Sequence, residues 1–149
     1  MKKNFKYFLS FLIISLVLLM TQSAYAKRMS VRAPKANVRS GPGVNYEVIW
    51  QVEKFYPVNI IEINGTWYLF SDFEGDKGWI HKSYVDDTES VIISREGQNN
   101  VRNGPGIKEE VIFQVEKGVP FKVLKREGRW INVEHIDGDK GWVYDTLVW

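Results

Sequence analysis

The chain has 149 residues and no cysteine, which excludes disulfide bridges, thiol chemistry and cysteine-based zinc sites. Its formal charge of +2 includes three lysines near the start, and the remainder without them carries −1. That remainder contains no Lys/Arg cluster able to neutralise a row of phosphates, so the sequence does not support nucleic-acid binding. All six tryptophans follow residue 26, and their burial can stabilise a small domain that lacks disulfides.

Residues 1–26 have the pattern of a cleaved secretory signal. Lysines are followed by an apolar run from Phe8 to Met20 and then by Ala24-Tyr25-Ala26, with small residues where a signal peptidase reads them. The run is shorter than the roughly 20 residues of a membrane span, and an uncleaved anchor is the alternative. No cysteine follows the run, which excludes a lipoprotein anchor. We expect cleavage after Ala26 and export without further membrane contact. The short leader favours a periplasm over a wall-associated or extracellular location.

The rest of the chain is a duplication, because a shift of 63 positions superimposes the sequence on itself. Residues 37–43 read NVRSGPG and residues 100–106 read NVRNGPG, while GDKGW occurs at 75–79 and at 138–142. No gap is needed between residues 37 and 85, and 22 of these 49 aligned pairs are identical. The sequence therefore predicts two copies of one domain.

Each copy is predicted to consist of short strands without an amphipathic helix. In the second copy, VIFQVEK, PFKVLKR and RWINVEH are rich in β-branched and aromatic residues. Alternation along a strand directs Ile131 and Val133 to one face and Trp130 to the other. Trp79 and Trp142, which follow a glycine and begin a strand, are predicted to belong mainly to the core.

Two kinds of tight turn are predicted between the strands. Asn64-Gly65 is typical of a type I′ hairpin turn, in which both central residues have positive φ. Pro42 and Gly43 predict a type II turn with positive φ at the glycine, and the second copy repeats this turn with Gly106.

The repeated motifs resemble those of the bacterial SH3 (SH3b) domain. They are N-V-R-x-G-P-G at the start, G-x-W in the middle, and G-W-[IV] followed by S-Y-V or T-L-V. The resemblance implies an all-β chain of two tandem, small, five-stranded, SH3-like, partly open barrels. We expect these domains at residues 27–86 and 90–149, joined through the short linker DDTE. The family also implies a place outside the cytoplasmic membrane, often beside cell-wall enzymes, and the binding of wall peptides or other proteins.

Ligand binding is predicted on aromatic residues, and the first copy is richer in them: Tyr46, Trp50, Trp67 and Tyr84. Aromatic anchors carry much of the energy of binding. The second copy keeps Trp130 at the position of Trp67 but has Leu147 at that of Tyr84. Alternatively, the two tryptophans cover an open end of each barrel. Recognition of proline-rich peptides is disfavoured, because the first Trp of the eukaryotic SH3 Trp-Trp pair is missing.

Arg39 and Arg102 recur together with Glu47 and Glu110. An Arg–carboxylate pair across the loop would fix its shape, and this structural role is the favoured interpretation. The alternative is that the same arginines bind a carboxylate of a wall peptide. The acidic segment DFEGDKG (72–78) lacks EF-hand spacing, so it predicts a solvated hairpin turn rather than a metal site.

No motif supports catalysis or a cofactor. His81 and His135 are not equivalent in the repeat, and G-x-S-x-G and H-E-x-x-H are absent. We therefore expect a non-enzymatic binding or adaptor protein of the cell envelope, whose ligand is a peptidoglycan peptide or an envelope protein. The alternative is a protein-interaction regulator of a wall hydrolase that has no affinity for wall polymer. The oligomeric state is left open.

Overall fold

A computed structural model describes residues 26–149. The predicted signal segment, except for Ala26, lies outside the described residues. In the part of the chain that is described, no helix is long and apolar enough to cross a membrane. The regular structure of residues 26–149 consists of β-strands and two short 3₁₀ helices, arranged as two antiparallel sheets.

The first sheet has seven strands in the spatial order β3-β2-β6-β5-β4-β1-β7. Its strands are β1 (Lys27–Val31), β2 (Lys35–Arg39), β3 (Val48–Glu53), β4 (Pro57–Asn64), β5 (Trp67–Ser71), β6 (Lys77–His81) and β7 (Val85–Asp86). The first 3₁₀ helix, Lys82–Tyr84, lies between the last two of them. We call this part of the chain domain 1.

The second sheet, which forms domain 2, repeats this arrangement in the order β10-β9-β13-β12-β11-β8. Its strands are β8 (Ser90–Ile92), β9 (Asn99–Arg102), β10 (Val111–Val115), β11 (Pro120–Glu127), β12 (Trp130–Glu134) and β13 (Lys140–Tyr144), followed by the second 3₁₀ helix, Asp145–Leu147. The all-β fold of two tandem SH3-like domains with sheets that do not close is confirmed. Each sheet has more strands than the five predicted, because β1 and β7 extend the first sheet and β8 extends the second.

Strand alternation builds a separate apolar core in each domain. Ile131 and Val133, which were predicted to share one face of the strand, are 2% and 0% exposed and lie in the core of domain 2. Their partners across the sheet are Val143 and Gly141. The core of domain 1 contains these buried side chains: Val31, Ala36, Val38, Val52, Val58, Ile60, Phe70, Ile80 and Val85. Residues that alternate with the core positions therefore form a second, outer face of each sheet.

Trp79 and Trp142 both lie on this outer face, where Trp142 is buried as predicted and Trp79 is only half-buried. Trp142 pairs with Asn132, which alternates with the core residues of β12. Its ring is buried all the same, beneath the ammonium group of Lys125 at 5.0 Å from the ring centroid. Trp79 is half-buried and pairs with Arg39. The glycine before each tryptophan is the residue that faces the core.

The turn predictions also need correction. The first hairpin turn consists of Gly65 and Thr66, and only the glycine has positive φ, at 59°. Positive φ at the first central residue alone is the pattern of a type II′ turn, and Asn64 remains within β4. Gly43 has no positive φ. Its amide donates to the carbonyl of Gly41 at 2.9 Å across a single residue, Pro42. This is a γ-turn, which the fixed φ of proline suits.

The acidic segment 72–78 forms the predicted hairpin turn, and Asp72 holds it together. The Asp72 carboxylate accepts hydrogen bonds from the amides of Glu74 and Asp76, each at 2.9 Å. Its second oxygen accepts from the Tyr56 hydroxyl at 2.9 Å. Burial, followed by this hydrogen bond and the neighbouring carboxylates, raises the pKa of the Tyr56 phenol above its ordinary value. Asp72 therefore acts as a cap for the turn.

We expect Tyr56→Phe to lower the free energy of unfolding by about 1 kcal/mol at neutral pH, the usual contribution of one hydrogen bond. Because the folded-state pKa is raised, the contribution of Tyr56 is complete below the unfolded pKa of about 10 and declines as the pH rises above it. The free energy of unfolding, measured by denaturation at several pH values between about 8 and 11, should therefore fall less steeply with pH for Tyr56→Phe than for the unmodified chain. Tyr84→Phe, which changes an exposed phenol, should leave the slope unchanged. Equal slopes in all three proteins would contradict the coupling of Tyr56 to Asp72.

The two domains contact each other on both sides of the short linker. The Arg28 guanidinium of β1 lies 3.9 Å from the ring centroid of Trp149. Lys117 of domain 2 forms ion pairs with Glu74 of domain 1 at 2.6 Å and with Glu96 of its own domain at 2.8 Å. Hydrogen bonds to these two carboxylates raise the pKa of Lys117. Lys117 also lies over the ring of Phe73 of domain 1, at 5.8 Å from its centroid. One ion pair and two cation–π pairs therefore connect the domains, and such contacts stabilise them only modestly.

Candidate functional site

An open groove of about 700 Å³ crosses domain 2, within the size range of small-ligand sites. It runs between the loop that follows β9, the ends of β12 and β13, and the second 3₁₀ helix. Its walls and floor are formed by Arg95, Gln98, Asn99, Asn100, Arg102, Ile107, Trp130, Tyr144 and Leu147. We call this site the domain 2 groove.

Trp130 and Tyr144 form the aromatic wall of the groove. They are paired across β12 and β13, and their ring centroids are 5.1 Å apart in an edge-to-face arrangement. Arg129 covers the Tyr144 ring at 4.6 Å and forms a two-pronged hydrogen bond with Asp145, at 2.9 and 3.0 Å. This fork fixes the base of the second 3₁₀ helix and one side of Tyr144, so the wall is held in place before any ligand binds.

Arg102 and Arg39 shape the loop at the rim of each site, although not through the predicted glutamates. The Arg102 guanidinium donates to the backbone carbonyl of Glu109 at 2.8 Å. In domain 1, Arg39 donates to the carbonyls of Val44 and Tyr46 at 3.0 and 2.8 Å. The predicted Arg–carboxylate pair is not formed, because the acceptors are main-chain oxygens of the loop in both domains.

Arg95 is a groove residue that the sequence analysis missed. Its side chain is exposed and has no hydrogen-bond or ion-pair partner among residues 26–149. The signal that identifies it is the repeat itself, because the shift of 63 positions also places Arg32 on Arg95. Arg32 and Arg95 precede the first repeated motif, which begins at residues 37 and 100. Two arginines and no acidic side chain line the groove, which gives it a positive potential.

Asparagine side chains order the floor of the groove. The Asn99 amide is buried and donates to the carbonyls of Arg95 and Gly97 at 3.0 and 2.8 Å. Asn100 accepts from Gln114 at 2.8 Å, and Asn37 accepts from Gln51 at the same place in domain 1. The segment that carries Arg95 is thus tied to β9.

The equivalent surface of domain 1 carries three rings in a row. The centroid of the Trp67 ring lies 5.2 Å from that of His81, which lies 6.1 Å from that of Tyr84. His81 occupies the repeat position of Tyr144, and its Nδ1 lies 2.8 Å from the Ser83 hydroxyl. The structure therefore brings together Trp67 and Tyr84, two of the residues predicted to bind ligand, and adds His81 between them.

The other two predicted aromatic residues lie elsewhere in domain 1. Tyr46 is 49% exposed, and its ring lies against Gly41 and Gly43, where it fills the space beside the γ-turn. Trp50 packs edge-to-face on the buried Phe70, with ring centroids 6.2 Å apart, on the core side of the sheet. The position of Trp50 is explained by packing against the core.

Within residues 26–149, no group of three or more His, Asp or Glu side chains could hold a metal ion. The Asp72 turn is accounted for by its backbone hydrogen bonds. The groove offers aromatic, aliphatic and guanidinium groups, which suit noncovalent recognition.

The sequence profile of the family described as "Bacterial SH3 domain" matches residues 32–87 and 96–149. The chain belongs to the bacterial SH3 domain family. Both of its SH3b domains are covered, and the resemblance seen in the repeated motifs is confirmed. The groove and its domain 1 counterpart thus lie at equivalent places on two SH3b domains.

Curated relatives of this SH3b chain are longer proteins. A protein of Bacillus subtilis (strain 168), provisionally named N-acetylmuramoyl-L-alanine amidase YrvJ, is 27% identical over 128 residues, which are 79% of this chain and 24% of the relative. A Staphylococcus epidermidis (strain RP62A) protein, provisionally named cell wall amidase LytH, is 39% identical over 59 residues, 39% of this chain and 20% of the relative. This chain therefore spans about a quarter or less of either relative.

Two solved structures are similar over most of the SH3b chain at low sequence identity. One is an NlpC/P60 family protein from Bacillus cereus ATCC 10987, with 11% identity and a TM-score of 0.41 over 83% of this chain and 56% of that one. The other is NlpC1 from Trichomonas vaginalis, with 10% identity and a TM-score of 0.39 over 86% of this chain and 47% of that one.

Proposed function

We propose that this SH3b chain is a non-enzymatic binding module of the cell envelope that holds a peptidoglycan peptide in the domain 2 groove. The observation that carries the proposal is the groove itself, with its preformed aromatic wall of Trp130 and Tyr144 beside the arginines Arg95 and Arg102. Apolar walls with a few convergent polar groups are the general form of a small-ligand site.

The comparisons support a role at the cell wall. Two relatives that share the SH3b part are named for amidases, one of them for a cell wall amidase. The family match covers both SH3b domains of this chain, so the likeness supports a role that these domains carry. An envelope or extracellular location follows from the same likeness, and the predicted signal at residues 1–26 favours export to a periplasm.

Binding without catalysis is supported by the composition of the groove. Its lining contains no histidine, serine, cysteine or carboxylate, and Tyr144, the one lining side chain with a hydroxyl, has no such group beside it among the lining residues to act as its base. The side chain of His81 in domain 1 makes ring contacts with Trp67 and Tyr84 and hydrogen bonds with Ser83. A chain of this kind positions a partner or itself on the wall.

Within this proposal, Trp130, Tyr144 and Arg102 bind the peptide in domain 2, while Trp67, Tyr84 and Arg39 form the corresponding site in domain 1. The aromatic count favoured domain 1, whereas the open groove favours domain 2. Tyr46 contributes to the domain 1 site indirectly, because its ring packs against Gly41 and Gly43 of the γ-turn. Trp50 is left out, because its ring packs on the core.

Sedimentation with purified peptidoglycan tests the proposal. The predicted mature chain, Lys27 to Trp149, should pellet with intact peptidoglycan, and soluble stem peptides released by an amidase should displace it into the supernatant. Displacement by the soluble glycan strands instead of the peptides would assign binding to the glycan. A chain that stays in solution with intact peptidoglycan, yet co-purifies with a wall hydrolase from an envelope extract, would establish the regulator alternative instead.

A further inference from the structure

We infer that the domain 2 groove binds its ligand through a carboxylate held between Arg95 and Arg102, and that Arg32 and Arg39 provide the same pair in domain 1. The inference rests on the proposed function and names the part of the wall peptide that the site recognises. It assigns a binding role to Arg32 and Arg95, which lie outside the motifs by which the family is recognised.

The charge balance of the groove points to an anionic ligand group. Arg95 and Arg102 both line it, and every other lining side chain is uncharged. Other cations of domain 2, such as Lys117, Arg126 and Arg129, form ion pairs. Arg95 has none among residues 26–149, so its guanidinium faces the groove with its hydrogen-bonding capacity unused.

Arg102 keeps donors free although it shapes the loop. A guanidinium has five N–H donors, and Arg102 uses one of them on the carbonyl of Glu109. That contact, together with the pairing of Arg102 with Trp142 on β13, limits the positions that the side chain can adopt. A planar, pre-oriented guanidinium matches a carboxylate through two parallel hydrogen bonds.

The apolar walls favour a peptide over a phosphate-bearing polymer. Trp130, Leu147 and the loop residue Ile107, which is 78% exposed, line the same groove as the two arginines. A short peptide with small aliphatic side chains and a terminal carboxylate complements both parts of this surface. A sugar–phosphate chain would place polar groups against all three apolar side chains.

The internal repeat supports the pairing of the two arginines. Between residues 32 and 37, only Arg32 and Asn37 are identical to their counterparts, Arg95 and Asn100. The other four of these six positions differ between the domains. The arginine at 32 and 95 is nevertheless retained, as is the arginine at 39 and 102. A shared turn accounts for Arg39 and Arg102, whereas the exposed Arg32 and Arg95 have no packing role that would require them.

Calorimetric titration of the predicted mature chain, Lys27 to Trp149, tests the inference. The probes are a synthetic stem tetrapeptide with free carboxylates and the same peptide with every carboxylate amidated. We expect the amidated peptide to bind at least tenfold more weakly. The double variant Arg32→Gln/Arg95→Gln should lose at least tenfold in affinity for the free peptide and bind the two peptides equally. The matched control, Lys77→Gln/Lys122→Gln, removes the same charge outside the groove and should keep the preference.

Three outcomes would overturn the inference. Equal affinity of the unmodified chain for both peptides, in a chain that still sediments with peptidoglycan, would contradict carboxylate recognition and leave the proposed function intact. Displacement of the peptide by inorganic phosphate at a lower concentration than by acetate would assign the arginines to a phosphate ligand. Absence of binding to either peptide, with no sedimentation, would overturn the inference and the proposed function together.

Discussion

Gly141→Ala is expected to destabilise domain 2 by about 2 to 3 kcal/mol, the upper part of the range for overpacking a core. A Cβ at this position would overlap Cγ1 of Val101, which is completely buried. It would also lie 3.0 Å from Cδ1 of Ile112 and 3.1 Å from the carbonyl oxygen of Arg102. Neither the core valine nor the backbone of β9 can move aside without disturbing the sheet.

Urea denaturation followed by tryptophan fluorescence measures this loss. Val101→Ala removes the methyl groups in the way, so the double variant should lose clearly less than the sum of the two single variants. Gly41→Ala serves as a comparison, because the overlap there is with the half-exposed Tyr46 ring, which can swing outward. A Gly141→Ala protein as stable as the unmodified chain would show that β13 does not lie this close to β9.

Trp130→Ala is expected to reduce the affinity of domain 2 for the stem peptide by about 2 kcal/mol, a factor of roughly 30, as for a central aromatic anchor. The ring is half-buried and lies on the outer face of the sheet. Its removal should therefore cost less than half of the 3–5 kcal/mol typical of a fully buried tryptophan. Peptide titration and denaturation of the same protein give the two numbers.

Trp142→Ala is the matched control, since Trp142 is 7% exposed, lies on the same face and does not line the groove. It should lower stability more than Trp130→Ala does. The alternative function of Trp130, covering an open end of the barrel, predicts the reverse order. Loss of folding in Trp130→Ala with unchanged affinity in the folded fraction would establish that alternative.

The repeat and the strand pattern were the parts of the fold that could be predicted from sequence. Alternation assigned Ile131 and Val133 to one face because successive side chains of a pleated strand point to opposite sides, and that face proves to be the core. The same rule placed Trp130 on the outer face. Each prediction depended on local geometry that repeats every two residues, so distant contacts did not alter it.

The turns and the site residues depended on contacts between distant positions, and there the predictions were incomplete. Gly43 is explained by the proximity of the Tyr46 ring rather than by its own φ angle. Arg39 was expected to pair with Glu47 but donates to main-chain carbonyls, which are invisible in a sequence. Trp50 was predicted to bind ligand, yet it packs on Phe70, because a half-buried aromatic residue has the same spacing as an exposed one.

Titration of the isotope-labelled chain with the stem tetrapeptide, followed residue by residue through its amide NMR signals, tests the central claim most directly. We expect the largest shifts in the groove of domain 2, at residues 95–107 and 130–147, and smaller ones at the corresponding positions of domain 1. The indole signal of Trp130 should move, and that of the core-packed Trp50 should not. Shifts confined to the contact between the domains, or no shifts at peptide concentrations that saturate sedimentation, would contradict the assignment of the groove as the binding site.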